Sequence, residues 1–242
     1  MSTPRKNILI TGFEPFGTPR PATNSSWEAI KGLEGLEIPV FHGGKLSVLR
    51  VHVHRLPVEY DGVLQAVRDL HLPTEGNSPH YDFYIHVGQA KPDQCALEQF
   101  ARRTGYVRAD NHGKSLPDQQ CPPLGGEPMP TRFESTVSVA GLAQYLRDVC
   151  QQPLVHASND AGLYLCEFTY YVSMYYQWQH TRAQGQHLTT PEEPPSSSSV
   201  PVGNVLFIHI PPENQPMSLD QSRALILSTL QWVGQEMPTA KS

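Results

Sequence analysis

The sequence predicts an α/β fold, a three-layer α/β/α sandwich around a mostly parallel, partly mixed central sheet. Short apolar runs that are typical of buried strands alternate with segments whose apolar residues recur at helical spacing. This alternation places helices on both faces of a sheet whose strands run largely parallel. The 242 residues are enough for a sizeable core, and no internal repeat is visible. We therefore expect a single domain over residues 1–242.

The N-terminal half contains the first strands and helices of this alternation. The run NILITGF, at residues 7–13, is typical of a buried strand that ends in a turn. In NSSWEAIKGL, Ser25 and Glu28 have the spacing of a capping box, which predicts a helix start. A strand region, an amphipathic helix and a strong strand follow at residues 45–58, 59–71 and 81–90.

The C-terminal half is less regular. From Lys91 to Arg132 the chain is rich in Pro, Gly and Asp, which predicts a long connection with at most one short helix or hairpin. Residues 178–203 are dominated by Pro, Ser, Gln and Glu, and we expect a flexible surface insertion there. The remaining segments are a helix at 135–150, a short strand at 154–158, an aromatic helix after Cys166, a strand at 204–212 and a closing helix capped by Ser218.

Composition narrows the class of function. A net charge of −5 and a pI near 6.1 argue against a nucleic-acid or anionic-membrane partner. No run of 18 apolar residues occurs, so no membrane span is expected. The four cysteines lack CxxC and zinc-ligand spacing, which predicts free thiols and a cytoplasmic location. No phosphate-binding or dinucleotide-binding glycine motif is complete, and no cofactor is expected.

Candidate chemistry lies at the predicted strand ends, where α/β sheets form their ligand sites. Cys166 stands at the start of a helix, where unpaired backbone N–H groups and the helix dipole favour a negative sulfur. A small buried structural cysteine is an equally good interpretation of that placement. His209 lies inside an apolar strand, where a core histidine is the commoner case, and Glu98 alone is typical of a helix-start carboxylate. Together, the three residues are the parts of a cysteine-nucleophile triad.

Six segments in the same order resemble the type I pyroglutamyl peptidases, which are cytosolic cysteine peptidases that remove an N-terminal pyroglutamate. The acidic residue after Cys166 is similar to eukaryotic members of that family, since bacterial members have Asn there. The resemblance extends from about residue 7 to residue 230, apart from the predicted insertion. Its segments are TGFEPFG, NSSWEA, HVGQA, LEQFARRTGYVRADNHG, DAGLYLCEFTYY and FIHIPP.

The resemblance implies a role for each of six residues. Cys166 corresponds to the family's nucleophile, His209 to its general base and Glu98 to the carboxylate that orients the base. The substrate would be a peptide with an N-terminal pyroglutamate, and neither a metal nor an organic cofactor would be needed. Bacterial relatives form tetramers, so the oligomeric state stays open. The two aromatic residues that enclose the pyrrolidone ring correspond to Phe13 and Phe16, and Gln89 lies where the family lines the same pocket.

Departures from the family pattern support an alternative function. Arg103 replaces a family Asn, and Val107 stands where bacterial members carry an Arg, with Arg108 one step away. A catalytically weak member that acts as a binding protein for N-terminally blocked peptides, or for a protein partner, is therefore the second hypothesis.

Overall fold

The computed structural model describes residues 3–73, 79–125, 128–184 and 199–236. Within these ranges the chain forms ten strands and five α-helices. The strands are β1 (Arg5–Phe13), β2 (Glu37–His42), β3 (Lys45–Leu56), β4 (Phe83–Gln89), β5 (Cys95–Glu98), β6 (Phe100–Arg102), β7 (Arg132–Ser135), β8 (Val155–Ser158), β9 (Val200–Val202) and β10 (Val205–Ile210). The helices are α1 (Ser25–Ile30), α2 (Tyr60–His71), α3 (Val139–Asp148), α4 (Leu165–Ala183) and α5 (Leu219–Glu236).

The main sheet has seven strands in the order β2-β3-β1-β4-β10-β5-β8. Strands β3, β1, β4 and β10 run parallel, whereas β2 pairs antiparallel with β3 and β5 pairs antiparallel with β10. A second sheet of three strands, β6-β7-β9, lies apart from it. This mixed but mostly parallel sheet confirms the predicted fold class.

Two apolar cores separate the three layers. In β1, Ile8 and Ile10 belong to one core and Leu9 to the other, because successive side chains of a strand point to opposite faces. Residues of α1, α3 and α5 fill the first core, and residues of α2 and α4 fill the second. Helices therefore cover both faces of the sheet, as the alternating pattern predicts.

Helix α4 is buried on nearly all sides, since it contacts the main sheet, α2 and the small sheet. Its aromatic residues also bond to backbone: the Tyr170 hydroxyl donates to the Glu98 carbonyl at 3.0 Å, and the Tyr171 hydroxyl donates to the Pro130 carbonyl at 2.6 Å. The aromatic run thus fixes the helix that begins beside Cys166. Nowhere in the described ranges is a helix both long enough and apolar enough to cross a membrane.

The start of α1 differs from the predicted capping box. Asn24, not Ser25, is the N-cap: its backbone is extended (φ −128°, ψ 123°) and its Oδ1 accepts from the Ser26 N–H at 2.9 Å. Ser25 is already helical, and its hydroxyl accepts from the Glu213 N–H at 2.8 Å. At α5 the predicted cap is confirmed, because the Ser218 hydroxyl accepts from the Gln221 N–H at 3.2 Å.

Two predicted irregular segments contain regular structure. The connection after Lys91 holds β5 and β6, so the interpretation of Glu98 as a helix-start carboxylate is wrong: it is the last residue of β5. Two regular elements extend into the predicted insertion at 178–203: α4 continues to Ala183, and β9 covers Val200–Val202. Residues 185–198 of it lie outside the described residues, and its flexibility stays a prediction.

Candidate active site

The site forms where β1, β4 and β10 end, because these neighbouring strands are parallel and their carboxyl ends meet at one edge. Cys166, the second residue of α4, lies at this edge beside Gly88 of β4. A Cβ on Gly88 would lie 2.9 Å from the Cys166 Sγ and 2.9 Å from the Phe207 ring. A larger side chain at position 88 would have to displace Cys166 or Phe207, a constraint that the sequence did not reveal although the predicted strand runs into this glycine.

His209 and Glu98 meet across the antiparallel pair β10–β5. His209 lies opposite Ala96 and Phe207 lies opposite Glu98, so the two functional side chains are diagonal neighbours on one face. The His209 Nδ1 and the Glu98 Oε1 are 2.8 Å apart, and both residues are buried. The imidazole lies close enough to Cys166 for the sulfur to raise the pKa of His209. The structure therefore brings the three predicted residues together in one cleft, with a hydrogen bond between Glu98 and His209 and with Cys166 beside the imidazole.

Opposing effects set the charge of His209. Burial lowers the pKa of the imidazole, but the adjacent Cys166 sulfur and the Glu98 carboxylate outweigh it and raise that pKa to about 10. The imidazole is consequently protonated at neutral pH and lies beside the Cys166 sulfur. This arrangement places a proton donor next to a candidate nucleophile.

A narrow, mostly apolar recess opens next to Cys166. The predicted pocket residues Phe13, Phe16 and Gln89 all line it. The recess also includes Tyr164, which the sequence analysis did not identify; its ring centroid is 6.4 Å from that of Phe16. The Gln89 Oε1 accepts from the Ser25 N–H at 2.9 Å, which orients the amide. Apolar rings with one oriented amide suit a small, neutral, hydrogen-bonding ligand.

A short polar network positions the loop that carries Phe13 and Phe16. The Asn24 Nδ2 donates to the Glu14 carbonyl at 3.0 Å, and the Ser26 hydroxyl accepts from the Phe13 N–H at 3.0 Å. That hydroxyl in turn donates to the Asn24 Oδ1 at 2.8 Å. The N-cap of α1 therefore also holds the aromatic loop, a role for Asn24 that the sequence did not reveal.

A buried ion pair holds the turn before Cys166. Glu167 is fully buried and accepts from the Arg102 Nε at 2.6 Å and from its NH2 group at 2.8 Å. Arg102 also pairs with Asp160 and holds the pKa of that carboxyl below its usual range. The Glu167 Oε2 further accepts from the N–H of Leu163 at 2.8 Å, in a residue whose φ is +45°. Strain of this kind persists only where contacts on several sides impose it.

The hydrogen bonds of the same turn limit which backbone N–H groups near Cys166 could stabilise an oxyanion. The N–H groups of Gly162 and Leu163 already bond to Asp160 and Glu167, at 3.2 and 2.8 Å. In the first turn of α4, the N–H groups of Leu165 and Cys166 have no partner within the helix. The available donors therefore lie at the helix start itself.

Beyond the recess, a wider cleft of about 410 Å³ contains Cys166, His209 and Glu98 in its wall. Phe16, Gln89, Tyr164 and Cys166 line both spaces, so the recess and the cleft meet at the sulfur. Within the described ranges, no cluster of three or more His, Cys, Asp or Glu residues could hold a metal ion. The four cysteines are free thiols, as expected.

The family model described as "Pyroglutamyl peptidase" matches residues 6–191 of the chain. The chain belongs to the pyroglutamyl peptidase family. Pyroglutamyl-peptidase 1 of Rattus norvegicus is 31% identical over 227 residues, with 93% of this chain and 88% of the relative covered. Its Homo sapiens counterpart is 30% identical over the same length and with the same shares covered. The predicted resemblance, including its cysteine-peptidase class, is confirmed.

Solved structures of this family share the fold. A mutant pyrrolidone carboxyl peptidase from Pyrococcus furiosus has a TM-score of 0.69 at 22% identity, over 96% of this chain and 100% of that one. The pyroglutamyl peptidase I from Bacillus amyloliquefaciens has a TM-score of 0.68 at 22% identity, over 96% and 95% of the two chains. At these identities the likeness supports the architecture alone.

Proposed function

We propose that this protein removes N-terminal pyroglutamate from peptides by a Cys–His–Glu mechanism. The observation that carries the proposal is the hydrogen bond between Glu98 and His209 in the wall of the cleft that also contains Cys166, where the cleft meets the aromatic recess. Family membership supports the substrate class. The geometry does not favour the alternative hypothesis of a binding protein. The residues that differ from the family pattern around Glu98 leave the hydrogen bond between Glu98 and His209 intact.

In this mechanism the Cys166 thiolate attacks the pyroglutamyl carbonyl carbon, and the carbonyl π electrons move onto oxygen. The first-turn N–H groups of Leu165 and Cys166 stabilise that oxyanion, helped by the positive end of the helix dipole. When the C–N bond breaks, the His209 imidazolium protonates the departing amine. His209 then takes a proton from water, which hydrolyses the thioester and releases pyroglutamate. Glu98 holds the imidazole in place and stabilises its charged form. No step calls on a metal or an organic cofactor.

The recess provides the selectivity for pyroglutamate. Phe13 and Phe16 cover the lactam ring, while the oriented Gln89 amide and nearby backbone groups bond its polar edge. A free N-terminal glutamine would bring a charged amine into this apolar space without a counter-ion, so it is rejected. A proline ring resembles pyroglutamate in shape but lacks the lactam carbonyl, which would leave the polar groups of the recess unpaired.

The test is hydrolysis of pyroglutamyl 7-amino-4-methylcoumarin by the purified full-length chain. We expect thiol-dependent release of the coumarin, with the glutaminyl and prolyl amides cleaved at least about a hundredfold more slowly. Cys166→Ala is expected to lower kcat/KM by at least about a thousandfold, since the nucleophile is lost.

Cys150→Ala is the matched control, because Cys150 is also a partly exposed free thiol but does not line the cleft. It should retain the activity and its sensitivity to thiol alkylation. Equal rates in the Cys166→Ala variant and the unaltered protein, or no hydrolysis of the pyroglutamyl amide at all, would reject the proposed function.

A further inference from the structure

Two unpaired cations line the cleft but not the recess. Arg108 and Lys91 are both exposed, and neither has an ion-pair partner among the residues that the structure describes. The recess takes the pyrrolidone ring in the proposed function, and Cys166 marks the scissile carbonyl. The cleft therefore receives the leaving group, and its cations face that part of the peptide.

Arg108 is held in position by stacking. Its guanidinium carbon lies 4.1 Å from the centroid of the Tyr164 ring, and Tyr164 is two residues before Cys166. Stacking uses the flat face of the guanidinium and leaves its in-plane N–H donors available. Those donors match the two oxygens of a carboxylate.

The backbone around Arg108 is anchored on three sides. Its carbonyl accepts from the Tyr60 hydroxyl at 2.9 Å, and the next carbonyl, of Ala109, accepts from the Tyr164 hydroxyl at 3.2 Å. The Asn111 Nδ2 donates to the Pro15 carbonyl at 3.1 Å, which ties the segment to the aromatic loop. These hydrogen bonds thus hold the segment that carries Arg108 in a fixed position in the wall of the cleft.

Both acidic residues that line the cleft already have partners. Asp160 pairs with Arg102, which it shares with Glu167, and Glu98 bonds to the charged His209. His156, which also lines the cleft, is exposed and contributes no carboxylate. Arg108 and Lys91 are therefore the cations of the cleft that keep no carboxylate partner among the described residues.

We infer that Arg108 makes this peptidase selective for pyroglutamyl peptides whose leaving group carries a carboxylate next to the scissile bond. This inference rests on the proposed function and adds to it the class of the residue that follows pyroglutamate. The carboxylate has two sources, the side chain of Asp or Glu in a longer peptide and the C-terminus of a dipeptide.

The experiment compares kcat/KM for three amidated peptides, pyroglutamyl-Glu-amide, pyroglutamyl-Gln-amide and pyroglutamyl-Lys-amide, by chromatographic release of pyroglutamate. We expect the Glu peptide to exceed its isosteric Gln peptide about fivefold, which is the scale of one exposed ion pair, and the Lys peptide to be the poorest. The ratio of kcat/KM for the Glu peptide to that for the Gln peptide should fall toward one at about 1 M salt. Pyroglutamyl-Ala with a free C-terminus, compared with its amide, measures the terminal carboxylate separately.

Arg108→Gln should reduce the Glu-to-Gln ratio to about one, whereas Arg108→Lys should keep part of it because the charge remains. Arg132→Gln is the matched control, since Arg132 also stacks on a ring, at 4.4 Å from the Phe100 centroid, but lies outside the cleft. It should keep the ratio of the unaltered protein. Binding of the same peptides to the Cys166→Ala variant gives the order of affinities without turnover.

The outcomes separate the two proposals. A ratio near one in the unaltered protein, with the pyroglutamyl amide still hydrolysed, overturns this inference alone. A fivefold ratio that survives in Arg108→Gln also overturns it, because the selectivity then has another origin. Absence of hydrolysis with every pyroglutamyl substrate overturns the proposed function, and a lack of acidic preference in binding to Cys166→Ala overturns the inference independently.

Discussion

Arg102 and Glu167 form a bidentate ion pair in which the carboxylate is fully buried, directly after Cys166 in the chain. The pair joins β6 to the first turn of α4, and through the Leu163 N–H it holds the strained turn that precedes the sulfur. It also explains the acidic residue at position 167, because the buried carboxylate is paired with a guanidinium in this chain.

Breaking this pair should destabilise the protein and slow the reaction. Arg102→Gln leaves the Glu167 charge buried without its cation, so we expect the free energy of unfolding to fall by about 2 kcal/mol. We also expect kcat/KM to fall at least about tenfold, because the Leu163 turn loses its restraint. Urea unfolding and the coumarin assay measure the two effects.

The controls for this pair are a surface arginine and a double variant. Arg50→Gln removes an exposed ion pair with Glu37 and should change stability by less than about 0.5 kcal/mol. Arg102→Gln combined with Glu167→Gln should be more stable than the sum of the single variants predicts, since no buried charge is left unpaired. Strict additivity of the two substitutions would contradict the coupling.

Gly88→Ala should displace the nucleophile. The added methyl group would lie 2.9 Å from both the Cys166 Sγ and the Phe207 ring, closer than carbon atoms pack. We expect a loss of about 1–3 kcal/mol in stability and at least a hundredfold drop in kcat, measured by urea unfolding and the coumarin assay. Gly32→Ala, at a site with no atom within 4 Å of the new Cβ, should be neutral in both. Full activity in Gly88→Ala would show that the sulfur has more freedom than the packing allows.

The pH dependence of kcat/KM should report the His209 proton. This pKa is raised to about 10, so the imidazolium is present throughout neutral pH and is lost as the pH rises through about 10. Activity should therefore have an alkaline limb near pH 10. Glu98→Gln removes a carboxylate that raises the pKa, so the limb should move to lower pH, whereas Glu37→Gln at the surface should not move it. A limb that stays in place in Glu98→Gln would rule out the assigned pairing.

Acid should destabilise the protein through a second buried histidine, His86. Its Nδ1 bonds the Thr11 hydroxyl at 2.8 Å, and burial lowers its pKa to about 3. The group is neutral when folded but takes a proton near pH 6.5 when unfolded, so its contribution is complete above about 6.5 and is lost as the pH falls toward 3. We expect a loss of about 1.4 kcal/mol per pH unit in that window, measured by urea unfolding.

His86→Asn keeps a hydrogen-bonding side chain but cannot titrate, so its stability should depend less steeply on pH over that window. The quantity compared is the slope of the free energy of unfolding against pH, so a lower overall stability of the variant does not affect the comparison. His112→Asn, at an exposed position, should keep the slope of the unaltered protein. An identical slope in all three proteins would exclude His86 as the source.

Local patterns account for what could be predicted from the sequence. The run that contains Ile8, Leu9 and Ile10 has the composition of a strand buried on both faces, and it is one. The start of α1 was misassigned to Ser25 because Asn24 and Ser25 are both good N-caps, and only the extended backbone of Asn24 distinguishes them. The prediction that Glu98 starts a helix is wrong because its strand has only four residues, which is too short to show an alternating pattern.

The sequence by itself determined the alternation of strands and helices outside the two segments predicted as irregular, the family and the six candidate site residues, because hydrophobic spacing and motifs are local properties of the chain. Only the tertiary structure decided how those residues meet. His209 and Glu98 are 111 positions apart and become partners because β5 pairs antiparallel with β10. The tight fit of Gly88 against Cys166, the Arg102–Glu167 pair and the stacking of Arg108 on Tyr164 likewise join distant segments. Packing and burial set such contacts, and no local pattern encodes them.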